Sequence, residues 1–237
     1  MKKILTAIIV VLSVFLIYLG FKDDDIYYVS LGDGLAKGLN QYNQKDYGYT
    51  DYIKDYLNKV NKLEVFVDAL TDEDDRVIDI LNNIKNNAKV LVDGKNKTFQ
   101  NVLIKADLLT ISIGKNDLIS NVNLNTDFSI TDLYNKFDKS LVDFEQLYKI
   151  LREYCKEKII FIGFYNSTNN DELDEFYIMA NKKLASLASN YDIIYVDIFE
   201  EFKNNNYLDN SNYPNKEGYN MISNKIIKII DEKMINN

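Results

Sequence analysis

The sequence predicts an α/β protein: a three-layer α/β/α sandwich around a mainly parallel sheet, preceded by one N-terminal transmembrane helix. Three observations predict it. Short apolar runs at 27–31, 108–113 and 159–164 have the length and composition of strands buried on both faces. Between them lie segments whose apolar residues recur every three or four positions, the period of a helix face. Strands alternating with helices imply parallel pairing, because parallel strands need a crossover and helices supply it.

In chain order, Tyr27-Tyr28-Val29-Ser30-Leu31 is the first strand, and it stops abruptly in Gly32-Asp33-Gly34-Leu35. Tyr49, Tyr52, Ile53, Tyr56, Leu57 and Val60 mark one face of a helix, and Leu63 to Val67 follows as a strand. The stretch 72–88 is predicted helical, with Val77, Ile80, Leu81 and Ile84 on one side. Thr71 would cap it, and the carboxylates of 72–75 would face the positive end of its dipole. A metal site is the sharper reading of those acids; a solvated first turn is the commoner one. Leu108 to Ile113 is a strand ending in Gly114-Lys115-Asn116-Asp117. A long helix then runs through Phe137, Leu141, Phe144, Leu147, Tyr148 and Leu151. Ile159 to Phe164 is a strand, Asp171 to Ser189 a helix, Asp192 to Val196 a strand, and Lys216 to Met234 a closing amphipathic helix.

Composition narrows the function. With 46% apolar residues and one proline, the chain can bury a full core. A net charge of −8 argues against nucleic acid as a partner, and against an anionic membrane held by a general electrostatic field. Cys155 is the only cysteine, so neither an intramolecular disulfide nor a multi-cysteine metal site can form. Histidine is absent altogether, so any mechanism must move protons without imidazole. No cofactor and no metal is expected.

Lys2 and Lys3 precede an apolar run from Ile4 to Phe21, interrupted only by Thr6, Ser13 and Gly20, and three aspartates at 23–25 follow. As a helix this run spans about 27 Å, close to the thickness of a bilayer core. The positive flank stays in the cytoplasm and the remainder is exported. A cleaved signal peptide is the competitor, leaving a secreted protein. The run is longer than a usual h-region, and Tyr18-Leu19-Gly20 lacks a small residue three positions before the cut. Residues 1–25 are therefore read as a signal anchor and 26–237 as an extracytoplasmic domain at the cell membrane.

Three blocks carry a resemblance. Gly32-Asp33-Gly34-Leu35 near the start, Gly114-Lys115-Asn116-Asp117 in the middle and Tyr213-Pro214-Asn215-Lys216-Glu217-Gly218-Tyr219 near the end stand in the order of the SGNH/GDSL hydrolases. The run Ile160-Phe161-Ile162-Gly163-Phe164-Tyr165-Asn166 further resembles their bacterial lipase/acylhydrolase branch. The resemblance covers the whole exported part and implies a flavodoxin-like three-layer fold acting on esters, acylated sugars or lipids.

The same resemblance locates the catalytic positions, and most are altered. The nucleophilic serine of the first block is here Gly34. The histidine before the last Pro-Asn is Tyr213, a phenol with a pKa near 10 and a poor base at neutral pH. The aspartate three residues earlier is Asn210, with Asp209 beside it. The second-block glycine, an oxyanion donor through its N–H, falls near Leu70 and Thr71. Asn116, the side-chain oxyanion donor, is retained. In a serine-hydrolase triad, loss of nucleophile or base alone costs about 10⁶ in turnover. Both are missing here.

Other nucleophiles are weaker candidates. Ser30 and Ser112 sit in buried strands, and Cys155 has no histidine to activate it. Asp33 could serve as a carboxylate base assisted by Asp117 or Asp209, but in the family the first-block aspartate closes the turn. Among eighteen tyrosines with no tryptophan, some could stack on sugar rings, although most have core or rim spacing. The sequence thus reads as a degenerate hydrolase that binds an acylated glycan, lipid or envelope protein through Asp33, Gly34, Asn116, Asp117 and Tyr213. The alternatives are an esterase or lipase with non-standard catalytic groups and a purely structural member of a membrane complex.

Overall fold

The computed structural model describes residues 25–119, 129–168, 170–209 and 212–236. Five parallel strands form its main sheet: β1 (Ile26–Gly32), β2 (Leu63–Thr71), β5 (Leu108–Ser112), β6 (Lys158–Ile162) and β7 (Ile194–Val196), in the spatial order β2-β1-β5-β6-β7. A separate antiparallel hairpin, β3 (Lys89–Val92) with β4 (Lys95–Thr98), lies between β2 and β5 in sequence. Counting only the parallel strands, the order is 2-1-3-4-5, the doubly wound arrangement.

The pleat explains the two cores. Val29, Leu31, Leu109, Ile111, Ile159 and Phe161 point to one face, where they meet α3 (Val77–Lys85), α4 (Phe99–Lys105), α6 (Ile130–Tyr154) and α7 (Asp171–Ser189). Tyr28, Leu108, Ile160, Ile162 and Val196 point to the other, against α2 (Tyr49–Lys59), α8 (Phe199–Asn204) and α9 (Lys216–Ile230). Helices α2, α3, α6, α7 and α9 bury the stripes that the sequence spacing marked. Short helices α1 (Gly34–Lys37) and α5 (Lys115–Ile119) follow β1 and β5 at once, and a π-helical turn, Asp231–Ile235, closes the chain.

Two expectations change. The segment after β2 is not helical from residue 72: β2 runs to Thr71, which pairs with Gly32, and the Asp72 N–H donates to the Gly32 carbonyl at 3.0 Å. Pairing with β1 outcompetes an early helix start. Helix α3 begins at Val77, where Arg76 is the N-cap and its N–H donates to the Asp79 carboxylate, while the Thr71 hydroxyl donates to the Asp68 carbonyl at 2.8 Å. The hairpin and α4 also lie where no element was expected. Among the described residues no helix is long and apolar enough to cross a membrane, and none of their acidic clusters could hold a metal ion. The expected anchor, 1–25, lies outside the described residues except for Asp25.

Candidate functional site

In a 2-1-3-4-5 sheet, β1 and its neighbour β5 part at their carboxyl ends and leave a crevice. The loops 32–35 and 112–117 meet there. Gly32 holds φ +134°, and a Cβ on it would lie 2.8 Å from the Ser112 carbonyl carbon, so only glycine fits between the strands. The Asp33 N–H donates to the Ser112 carbonyl at 2.9 Å. The buried Asp33 carboxylate caps α1 by accepting from the Leu35 N–H at 3.2 Å. Asp33 therefore closes the turn, as the resemblance implied.

Gly34 opens α1, and Tyr213 sits on top of it. A Cβ built on Gly34 would contact the phenol oxygen and lie 2.6 Å from Cζ and 2.8 Å from Cε1 of that ring. The space a side chain at 34 would enter is already filled by the aromatic residue that replaces the family's base. Burial raises the Tyr213 phenol well above its usual pKa, and the carboxylates of Asp33, Glu73 and Asp74 push the same way. It does not ionise near neutral pH.

Lys115 completes the cleft. Its Nζ donates to the Asn212 carbonyl at 2.7 Å and stands 4.9 Å from the Tyr213 ring centroid and 5.7 Å from that of Tyr165. The Tyr165 hydroxyl donates to the same Asn212 carbonyl at 2.8 Å, and the Ser167 hydroxyl to the Asn212 side-chain oxygen at 3.0 Å. Three side chains thus fasten the segment that carries Tyr213. Burial lowers the Lys115 pKa, opposed by Asp33; burial raises the Asp33 pKa, opposed by the Leu35 N–H and by Lys115. A cavity of about 30 Å³ lies among Asp33, Ser112, Lys115 and Tyr165, room for roughly one water.

Asn116 is committed elsewhere. Its Nδ2 donates to the Glu73 carbonyl at 2.7 Å and the Asp75 carbonyl at 3.0 Å. An amide nitrogen carries two hydrogens, so both are engaged by the β2–α3 loop instead of being offered to a substrate oxygen. Asp117 accepts from the Val77 N–H at 3.1 Å and holds the start of α3. Burial raises its pKa to about 6, opposed by the Val77 N–H and Arg76.

The structure brings Asp33, Gly34 and Tyr213 together directly and ties Asn116 and Asp117 to the rim loop beyond Thr71. Asn210 lies outside the described residues, and Asp209 lines a different groove. Ser30 and Ser112 are fully or almost fully buried, and their hydroxyls, with that of Tyr49, have no hydrogen-bond partner among the described residues. Cys155 is buried, with its thiol pushed up to about 11 by burial. Sequence reasoning missed Lys115 as a site residue. The signal was its place directly after Gly114, at the end of a buried strand.

These loops on this sheet define an SGNH-type α/β/α hydrolase domain. The sequence profile described as GDSL-like Lipase/Acylhydrolase matches residues 28–226, and the chain belongs to that family. Among solved structures it is similar to a lipase from a goat rumen metagenome, with a TM-score of 0.68 and 19% identity over 85% of this chain and 95% of that one. A catalytic mutant of an acetylxylan esterase from Geobacillus stearothermophilus gives a TM-score of 0.63 at 15% identity, covering 86% and 93%. A lipase/acylhydrolase from Enterococcus faecalis gives 0.58 at 17% identity, covering 87% and 96%. At these identities the likeness speaks to the fold. No curated protein matches the sequence.

Proposed function

We propose that this chain is a membrane-anchored, extracytoplasmic member of its family that has given up acyl transfer and serves as a binding or assembly protein at the cell envelope. The observation that carries the reading is Tyr213 over Gly34: the attacking group is absent and its space is occupied. Neither remaining polar group restores the chemistry, since Asn116 spends its amide on the rim loop and Tyr213 stays protonated. The family favours an acylated glycan or a lipid as the ligand, with an envelope protein as the other candidate; it would meet Tyr213 and the rim held by Asn116 and Asp117, since Asp33 is buried and Gly34 is covered by the Tyr213 ring.

A second reading has one observation in its favour. The buried Asp33 carboxylate and the half-buried Lys115 amine line one small cavity, with both pKa values moved toward neutrality. Such a pair could activate water for an esterase of non-standard mechanism. Purified full chain in detergent, given acetylated xylo-oligosaccharides and short-chain lipid esters, separates the two. Binding without hydrolysis, lost in Tyr213→Ala, supports the binding protein; hydrolysis that vanishes in Asp33→Ala while folding persists supports the esterase. Retention of the full chain in alkali-washed membranes, and its release when residues 1–25 are removed, tests the anchor.

A further inference from the structure

Outside the cleft, a groove of about 660 Å³ opens between the loop that follows α1 and the start of α9. None of Asp33, Gly34, Lys115 or Asn116 lines it. We propose that this groove binds an uncharged oligosaccharide. The inference goes beyond the reading above, because it requires no ligand in the cleft.

Four tyrosines line the groove; Tyr52 is half-buried and Tyr219 buried, whereas Tyr42 is 71% exposed and Tyr47 40%. The loop that presents them is held in one shape. The Asn40 side-chain oxygen accepts from the Tyr42 and Gln44 N–H groups at 2.9 and 3.1 Å. The Asp46 N–H donates to the Gly38 carbonyl at 2.9 Å, and Leu39 bridges to Lys45. The Tyr47 hydroxyl bonds to Asp55, and its ring meets Tyr52 edge-on at 4.6 Å. Rings displayed on a fixed loop bind with little ordering cost.

The chemistry selects the occupant. A pyranose has a flat C–H face and an edge of hydroxyls; a tyrosine ring offers a flat apolar face, and Asn40, Asp46 and Lys216 offer donors and acceptors around it. An acyl chain would strip water from the exposed Asp46 carboxylate and Lys216 ammonium and give them no polar contact in return. A peptide added as a strand would need a sheet edge, and no strand residue lines the groove. A polyanion would meet Asp46 and Asp209 against the single Lys216, on a chain of net charge −8. The volume lies within the range of about 300–1,000 Å³ common to small-ligand sites. Pro214, the residue after Tyr213, forms part of the wall, so a sugar chain seated there runs up to the cleft.

The test is isothermal titration of the full chain in detergent micelles with cellohexaose, xylohexaose and chitohexaose, and with polygalacturonate as the polyanion. At least one neutral hexasaccharide should bind, about tenfold more weakly to Tyr42→Ala and with nearly unchanged affinity to Tyr42→Phe, which keeps the ring. Tyr42 is exposed enough for both variants to fold. The proposal is overturned if none of the three binds at millimolar concentration, if Tyr42→Ala binds as tightly as the parent, or if polygalacturonate binds better than the neutral chains.

Discussion

Substituting Gly34 by alanine asks how firmly Tyr213 fills the old nucleophile position. Alanine is favoured over glycine in helices by about 1 kcal/mol, so without a contact the change at the first residue of α1 would stabilise the protein. The added Cβ, however, would lie 2.6 and 2.8 Å from Tyr213 ring carbons, closer than real contacts allow. The ring must move, and Lys115 over its face and the bonds fastening Asn212 resist that movement. Overpacking of this kind costs about 1–3 kcal/mol. Set against the helix gain, a net loss of up to about 2 kcal/mol lowers the melting temperature of a domain this size by up to roughly 8 °C. The assay is thermal and urea unfolding of Gly34→Ala, Tyr213→Ala and the double variant, read as a cycle. In the Tyr213→Ala background, Gly34→Ala should turn neutral or stabilising. If the two changes add within about 0.5 kcal/mol, the ring does not occupy that space and the steric argument fails.

Two further predictions follow from charge and hydrogen bonding. Asp117 has its folded pKa raised to about 6 from 3.8, so its contribution to stability is greatest below pH 4 and is lost as pH rises through 6. Asp117→Asn should therefore match the parent near pH 4 and exceed it by about 1–2 kcal/mol at pH 7.5, after discounting for partial exposure, in urea titrations across that range. A constant difference at all pH values would refute the assignment. Arg152 donates to the carbonyls of Cys155, Lys156, Glu157, Tyr191 and Asp192, clasping the end of α6 to the loop before β7. Arg152→Lys lacks the planar fork and should lose about 2–3 kcal/mol by chemical denaturation; a loss under about 0.5 kcal/mol would mean that the clasp is ornamental.

The doubly wound sheet was legible because buried strands and amphipathic helices leave opposite signatures. Helix α7 runs over Asp171–Ser189, as the periodicity indicates, and the runs at 108–113 and 159–164 became β5 and β6 with shorter ends. The hairpin was hidden by its charge. Lys95–Thr98 is wholly polar and Lys89–Val92 adds only three apolar residues after a lysine, although Asp93-Gly94 between them, both at positive φ, is a strong hairpin turn. The start of α3 was misplaced because Thr71 and its acidic neighbours suit a helix cap, while a long-range pairing with Gly32, invisible locally, holds the strand to its end. For the site, motif spacing brought Asp33, Gly34 and Tyr213 to one place. It could not show that Asn116 turns toward the 73–75 backbone or that Lys115 clamps the Tyr213 segment, since both depend on how separate loops meet.

The central claim is that the cleft no longer performs acyl chemistry, and the rate of activated-ester hydrolysis tests it most directly. Repurified chain incubated with p-nitrophenyl acetate and butyrate at pH 7.5 should release nitrophenolate no faster than the Gly34→Ala, Asp33→Ala and Lys115→Met variants or than buffer. Turnover by the parent that survives repurification and disappears in Asp33→Ala or Lys115→Met, with both variants folded, would contradict the account and identify a working catalyst.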